Sequence, residues 1–183
     1  MYHISIISSS VRIGRKSHNV ALFFQKYLEK KGLATVEILD LKQYNFPIFE
    51  ERLKNQKSPS LEALEFKNKI IASDAIIIVS PEYNGSIPAS LKNVVDLLYE
   101  EWQKKTVAFA TASSGDFGGL QALTHLEFIF WKIGAICISK NFPVSKVQEK
   151  FDDFGNPTNK KEMDVFAKIF IDEIFKYIDS DKK

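Results

Sequence analysis

The residues best suited to chemistry fall in three separate stretches. In Ser8-Ser9-Ser10-Val11-Arg12-Ile13-Gly14-Arg15-Lys16-Ser17, hydroxyls and arginines stand directly ahead of Val20, Ala21, Phe23, Phe24, Tyr27 and Leu28, which recur at helical spacing. A phosphate dianion is held by side-chain donors, free backbone N–H groups, positive charge and the favourable end of a helix macrodipole. This loop offers all of these, with Arg12 and Arg15 completing the clamp. The same residues fit a solvated loop in which Ser17 is a plain helix cap.

The second stretch follows the apolar run Ile76 to Val79 and reads Ser80-Pro81-Glu82-Tyr83-Asn84-Gly85-Ser86-Ile87-Pro88. Two prolines bracket a polar turn in which Tyr83 offers an aromatic face and Asn84 an amide. Gly85 offers a backbone that can approach a ligand, and Ser86 a possible cap for the next helix. A flat, polar-edged ring suits such a loop. The third, Thr111-Ala112-Ser113-Ser114-Gly115-Asp116-Phe117-Gly118-Gly119, is rich in small residues. Its glycines allow close backbone approach or, alternatively, a tight turn needing positive φ.

Periodicity supplies the elements that must position these stretches. Strands are predicted over Tyr2–Ile7, Ala34–Leu41, from Asp74 through Val79, over Lys105–Ala110 and over Ala135–Ser139. Helices are predicted between them, with Ser60 starting one through Ile71, Gly134 closing another and a last one running from Lys160 to Ile178. The helix from Leu91 to Trp102 has more apolar positions than one buried stripe needs, so part of it is expected to face another subunit. Gln43–Ser60 and Asn141–Asn159 read as loops, the first carrying aromatics that cover the sheet edge or enclose a ligand.

Five strands alternating with helices argue an α/β, doubly wound parallel sheet forming a single domain over residues 1–183. The three polar stretches follow its first, third and fourth strands. They therefore converge at one rim of the sheet, where open α/β folds bind ligands. A phosphate clamp beside a stacking pocket describes a mononucleotide site with a flat ring, which FMN fits better than a dinucleotide. No G-x-G-x-x-G turn follows the first strand.

Bulk properties exclude several other roles. A net charge of +2, with lysines scattered along helices, does not suggest nucleic acid. No apolar run approaches the roughly 20 residues of a membrane span and no targeting segment is evident, so a cytoplasmic location is expected. The single cysteine, Cys137, permits no internal disulfide and reads as a buried structural thiol. His125 has no partner at metal-ligand spacing and reads as structural, so no metal site is expected.

On these residues the chain resembles the NADPH-dependent FMN reductase family of flavodoxin-like proteins, which includes azo-, quinone- and chromate-reducing members. The likeness runs from Ile4 to about Gly134. It is most specific at Pro81-Glu82-Tyr83-Asn84-Gly85-Ser86 with Pro88 and Leu91-Lys92-Asn93. Ser9-Ser10-Val11-Arg12, then Gly14-Arg15 and Ser17, fall into step with the family's phosphate loop. The resemblance implies a flavodoxin-like sheet with helices on both faces. It further implies that Ser10, Arg12 and Ser17 hold the FMN phosphate with Arg15 nearby, that Pro81, Glu82, Tyr83, Asn84 and Gly85 line the isoalloxazine, and that Ser113 and Gly115 close its other side. In two places the chain departs from the family: Ser9 stands where Gly is usual, which would crowd the phosphate loop, and Gln121 where an Arg often follows the Gly-Gly pair.

The implied activity passes hydride from NADPH or NADH to flavin and on to a flavin, quinone, azo compound or metal oxyanion by a ping-pong mechanism. The flavin does the chemistry, so no catalytic side chain is expected. A homodimer or homotetramer is also implied. The alternative is a flavodoxin-type electron carrier docking to a partner protein, although such carriers are commonly strongly acidic and this chain is slightly basic.

Overall fold

The computed structural model describes residues 1–181. The strands β1 (Tyr2–Ser8), β2 (Ala34–Asp40), β3 (Ala75–Pro81) and β4 (Thr106–Ala112) are each seven residues long. All strand pairings are parallel, in the order β2-β1-β3-β4 and then β5 (Ile136–Cys137), so the order reverses between β1 and β3. Every residue of β3 is buried, as expected of a strand covered on both faces. Alternate side chains divide between two cores. Ile77 and Val79 pack with Phe24 of α1 (Ser17–Lys30) and Phe170 of α7 (Lys160–Asp181). Ile76 and Ile78 pack with Phe66 of α3 (Leu61–Ala72), Leu91 of α4 (Ala89–Leu97) and Phe130 of α5 (Leu120–Lys132).

Local chemistry sets several of the boundaries. The Ser60 hydroxyl accepts from Ala63 N–H at 3.1 Å and starts α3 as predicted. Gly134, at φ +85°, closes α5. The aromatic loop folds back on α3, where Tyr44 of the single-turn α2 (Leu41–Tyr44) stacks on Phe46 with ring centroids 5.1 Å apart. Asn93 pins that loop by accepting from Phe49 N–H at 2.6 Å and donating to the Pro47 carbonyl at 2.7 Å. That part of the 81–93 motif is thus structural.

Three expectations need correction. The predicted helix from Leu91 to Trp102 ends at Leu97, and a separate turn over Glu100–Trp102 follows. Leu91, Val94, Val95, Leu97, Leu98 and Trp102 are all buried within the chain, so their apolar excess is consumed by its own core and marks no subunit contact. The predicted fifth strand, Ala135–Ser139, is shortened to two residues, and a further strand lies beyond it. β5 (Ile136–Cys137) pairs with Thr106 and Val107, whereas β6 (Phe142–Val144) pairs with Ala110, Thr111 and Ala112. Between them Ser139 and Asn141 turn aside to donate to Glu173 and Glu127. Pro143, which has no N–H to give, is tolerated in β6 because this strand lies at the sheet's margin. The expected loop 141–159 therefore contains β6 and the short helix α6 (Val147–Lys150).

Candidate functional site

The loop after β1 is pinned at both ends. The Ser9 N–H and hydroxyl both donate to the Val79 carbonyl, at 3.1 and 2.9 Å, while the Ser9 carbonyl accepts from the Ser90 hydroxyl at 2.6 Å. Its side chain is turned into β3, so the crowding expected from Ser in place of Gly does not arise. The Ser10 hydroxyl lies 2.5 Å from the Tyr83 hydroxyl. The exposed Arg12 carries its guanidinium 5.6 Å over the Tyr83 ring. The two arginines differ: Arg15 is committed to Asp40, to which its two terminal guanidinium nitrogens donate at 2.5 Å, and to the Ser10 carbonyl at 2.6 Å. Ser17 is not a helix cap. Lys16 occupies that position without a side-chain cap bond, which leaves first-turn N–H groups of α1 turned to the loop.

The Tyr83–Ser86 segment is a two-residue turn. Tyr83 N–H donates to the Ser86 carbonyl at 2.8 Å and Ser86 N–H returns to Tyr83 at 3.0 Å, with Asn84 at φ +51° and Gly85 at φ +74°. That is the type I′ geometry for which Asn-Gly is the favoured pair. A Cβ on Gly85 would come within 2.5 Å of the Gln121 side-chain oxygen. Ser86, expected as a cap, instead bonds His125 Nδ1 at 2.8 Å, and Pro88 takes the cap position of α4. The Glu82 carboxylate accepts from the N–H groups of Gln121 and Ala122 at 3.0 and 3.3 Å, capping α5 from a different loop.

The loop after β4 is held mainly through its backbone. Ser113 N–H donates to the Val144 carbonyl, Val147 N–H to Ser113 and Lys146 N–H to Gly115, each at 3.0 Å. Its glycines separate into two kinds. Gly118 and Gly119 have φ of +63° and +82°, and a Cβ on either would press on Pro143 or Thr111 at 2.9 and 3.0 Å. A Cβ on Gly115 would meet nothing within 4 Å.

These loops enclose one cavity of about 170 Å³. Ser10, Arg12, Arg15, Ser17, Pro81, Glu82, Tyr83 and Ser113 all line it, together with Ser114, Val147 and Gln148. Asn84, Gly85 and Gly115 lie outside its wall: the first two shape the turn that carries Tyr83, and Gly115 is exposed beyond it. Val147 and Gln148 were missed because they sit in the stretch read as a loop, where nothing in the sequence singles them out. A larger cavity of about 370 Å³ between β6 and α7 is walled mainly by Phe142, Met163, Phe166, Ile169 and Phe170. It shares no lining residue with the first and lacks the latter's cluster of hydroxyls and guanidinium.

Charge at the site is governed by burial and pairing. Burial opposes ionisation of Asp40, but hydrogen bonds from Arg15 and Lys42 N–H outweigh it and hold the carboxyl below its ordinary 3.8. His18, bonded to Ser8 at 2.9 Å, has its pKa lowered by burial and by the Arg15 charge. Away from the site, burial and Glu127 push the Cys137 thiol up to about 11, in keeping with an inert structural cysteine. Among the described residues no group of His, Cys, Asp and Glu could hold a metal, and no helix is long and apolar enough to cross a membrane.

The profile of the NADPH-dependent FMN reductases matches residues 2–149. The chain belongs to this family. It is thus an oxidoreductase that works with FMN and a nicotinamide co-substrate. It is 29% identical over 137 residues to the NAD(P)H-dependent FMN reductase LOT6 of Saccharomyces cerevisiae, covering 68% of this chain and 71% of that one. It is 26% identical to a quinone reductase of Pseudomonas putida, over 97% and 95% of the two chains. In fold it matches the flavoenzyme NAD(P)H:(acceptor) oxidoreductase FerB of Paracoccus denitrificans, with a TM-score of 0.78 at 24% identity over 97% and 99% of the two chains. The flavodoxin-like architecture read from the sequence is borne out.

Proposed function

We propose that this reductase seats the FMN phosphate in the cavity beneath Arg12 and the isoalloxazine along its rim beside Tyr83. The observation that carries this reading is that Ser10, Arg12, Ser17, Tyr83 and Ser113, from three loops far apart in sequence, wall one space. Their chemistry suits the group: hydroxyls and first-turn N–H groups donate, Arg12 supplies the uncommitted guanidinium charge, and Tyr83 presents its ring. Arg15 keeps the loop in shape rather than meeting phosphate, because Asp40 occupies its fork. Pro81 and Glu82 carry Tyr83, with Glu82 also tying that loop to α5. Asn84 and Gly85 set its turn, and Gly115 leaves the outer side open.

Bound at this rim, FMN would supply the hydride chemistry that links NADPH or NADH to an acceptor. The protein's part is to orient and to hold the reacting partners close, so no side-chain acid or base is required. The names of its relatives support a quinone as the acceptor, with flavins and azo compounds as further candidates; a metal oxyanion rests on the family resemblance alone. Steady NAD(P)H oxidation with added quinone, giving parallel double-reciprocal lines, is the expected outcome. Intersecting lines would overturn the ping-pong order, and an absence of NAD(P)H oxidation would favour a flavodoxin-type carrier.

We also propose that the chain acts as a single domain in the cytoplasm and forms a homo-oligomer. The face expected at the subunit contact moves from α4 to α5. There Leu120, Phe128 and Trp131, with Phe117 just ahead, are between 54% and 82% exposed, more apolar surface than isolated residues would give. Light scattering at micromolar concentration should report a dimer or tetramer, and Trp131→Lys should shift it toward monomer. A wild-type monomer would remove the contact.

A further inference from the structure

Asp40 belongs to none of the three stretches that suggested the site, and it does not line the cavity. It ends β2 level with Ser8, the last residue of β1, and is only 3% exposed. A carboxylate there would ordinarily be costly. It is held in place from two sides. One oxygen accepts from Lys42 N–H at 3.0 Å and caps α2, and both oxygens take the Arg15 fork at 2.5 Å. Arg15 in turn donates to the Ser10 carbonyl at 2.6 Å. Buried ion pairs contribute little net stability relative to apolar replacements. What this pair does contribute is a rigid path from the end of β2 to the residue whose hydroxyl faces the cavity.

We infer that Asp40 is a positioning residue for anion recognition. Acting through Arg15, it fixes the Ser10 backbone, and with it the Ser10 hydroxyl and the Arg12 segment, before ligand arrives. Preorganisation of this kind lowers the ordering cost of binding and matters only where the loop meets the phosphate. The inference rests on the reading that the cavity takes the FMN phosphate.

FMN and riboflavin share one ring and differ by the phosphate, so the pair separates positioning from general damage. Dissociation constants for both are measured by quenching of flavin fluorescence on the wild type, Asp40→Asn, Arg15→Gln and the double variant. The expected result is a loss of about tenfold in FMN affinity for Asp40→Asn, with riboflavin changed by less than about twofold. Arg15→Gln and the double variant should show the same loss, because the two residues act as one unit. The double variant leaves no unpaired buried charge, so it gives the result even if Asp40→Asn does not fold. Unchanged or tighter FMN binding would overturn the inference, as would equal losses for the two flavins. A wild type that binds riboflavin as tightly as FMN would instead overturn the phosphate reading beneath it.

Discussion

The loops that follow β1 and β4 face each other across one cavity yet are held by opposite means. The first is fixed by side chains: Arg15 on Asp40 and the Ser10 carbonyl, Ser9 on Val79, Ser10 on Tyr83. The second is fixed by its backbone, which bonds to the returning segment of β6 and α6, and by glycines whose missing side chains let Thr111 and Pro143 close in. A side-chain-held loop concentrates its risk in a few charged residues, while a backbone-held loop concentrates it where a Cβ cannot fit.

The sharpest way to break the first loop is Arg15→Leu. It leaves Asp40 buried without its ion pair and should cost about 3–5 kcal/mol, read as a lowered urea midpoint at unchanged slope. A loss under 1 kcal/mol would mean that the fork is not what holds the loop. Arg12→Ala, on the same loop but exposed, should leave the midpoint alone while weakening FMN binding by about 1.5–3 kcal/mol, the worth of a charge-assisted hydrogen bond. Unchanged FMN affinity would remove Arg12 from the anion site.

The second loop is tested by a pair of glycines. Gly119→Ala puts a Cβ 3.0 Å from Thr111 at φ +82° and should cost about 1–3 kcal/mol, whereas Gly115→Ala should stay within about 0.5 kcal/mol. Equal effects at the two positions would erase the distinction between them. The smallest effect is with pH. The Asp40 pKa is depressed in the folded state, so its ionised form favours folding above about pH 4, the unfolded value, and that contribution fades as pH falls through the folded value. The stability gap between wild type and Asp40→Asn should therefore narrow from pH 5 toward pH 2. A gap independent of pH would exclude ionic pairing as its source.

The same contrast explains what the sequence made legible. Ser10, Arg12 and Ser17 announce their chemistry by type, and Tyr83 by its setting after a buried strand, so the cavity's side-chain wall could be read directly. The wall contributed by Val147 and Gln148 could not, because hydrogen bonds made by backbone carry no residue code. Arg15 was legible as a charge but not as an occupied one, since its partner lies 25 residues away at the end of β2. Asn84-Gly85 was read as a ligand approach although its spacing is that of a type I′ turn, a local rule outweighed by the attraction of a binding motif. Trp102 and Leu98 suggested a subunit surface because periodicity counts apolar residues without showing which core receives them.

The divided outer strand has a consequence for how the molecule keeps its own company. A long, regular marginal strand would present a continuous row of unsatisfied amides and carbonyls to any neighbouring sheet. Here that row is interrupted after Cys137, and Pro143 withholds a donor where it resumes. The protein can thus crowd at high concentration with its sheet protected on that flank against growth into fibrils.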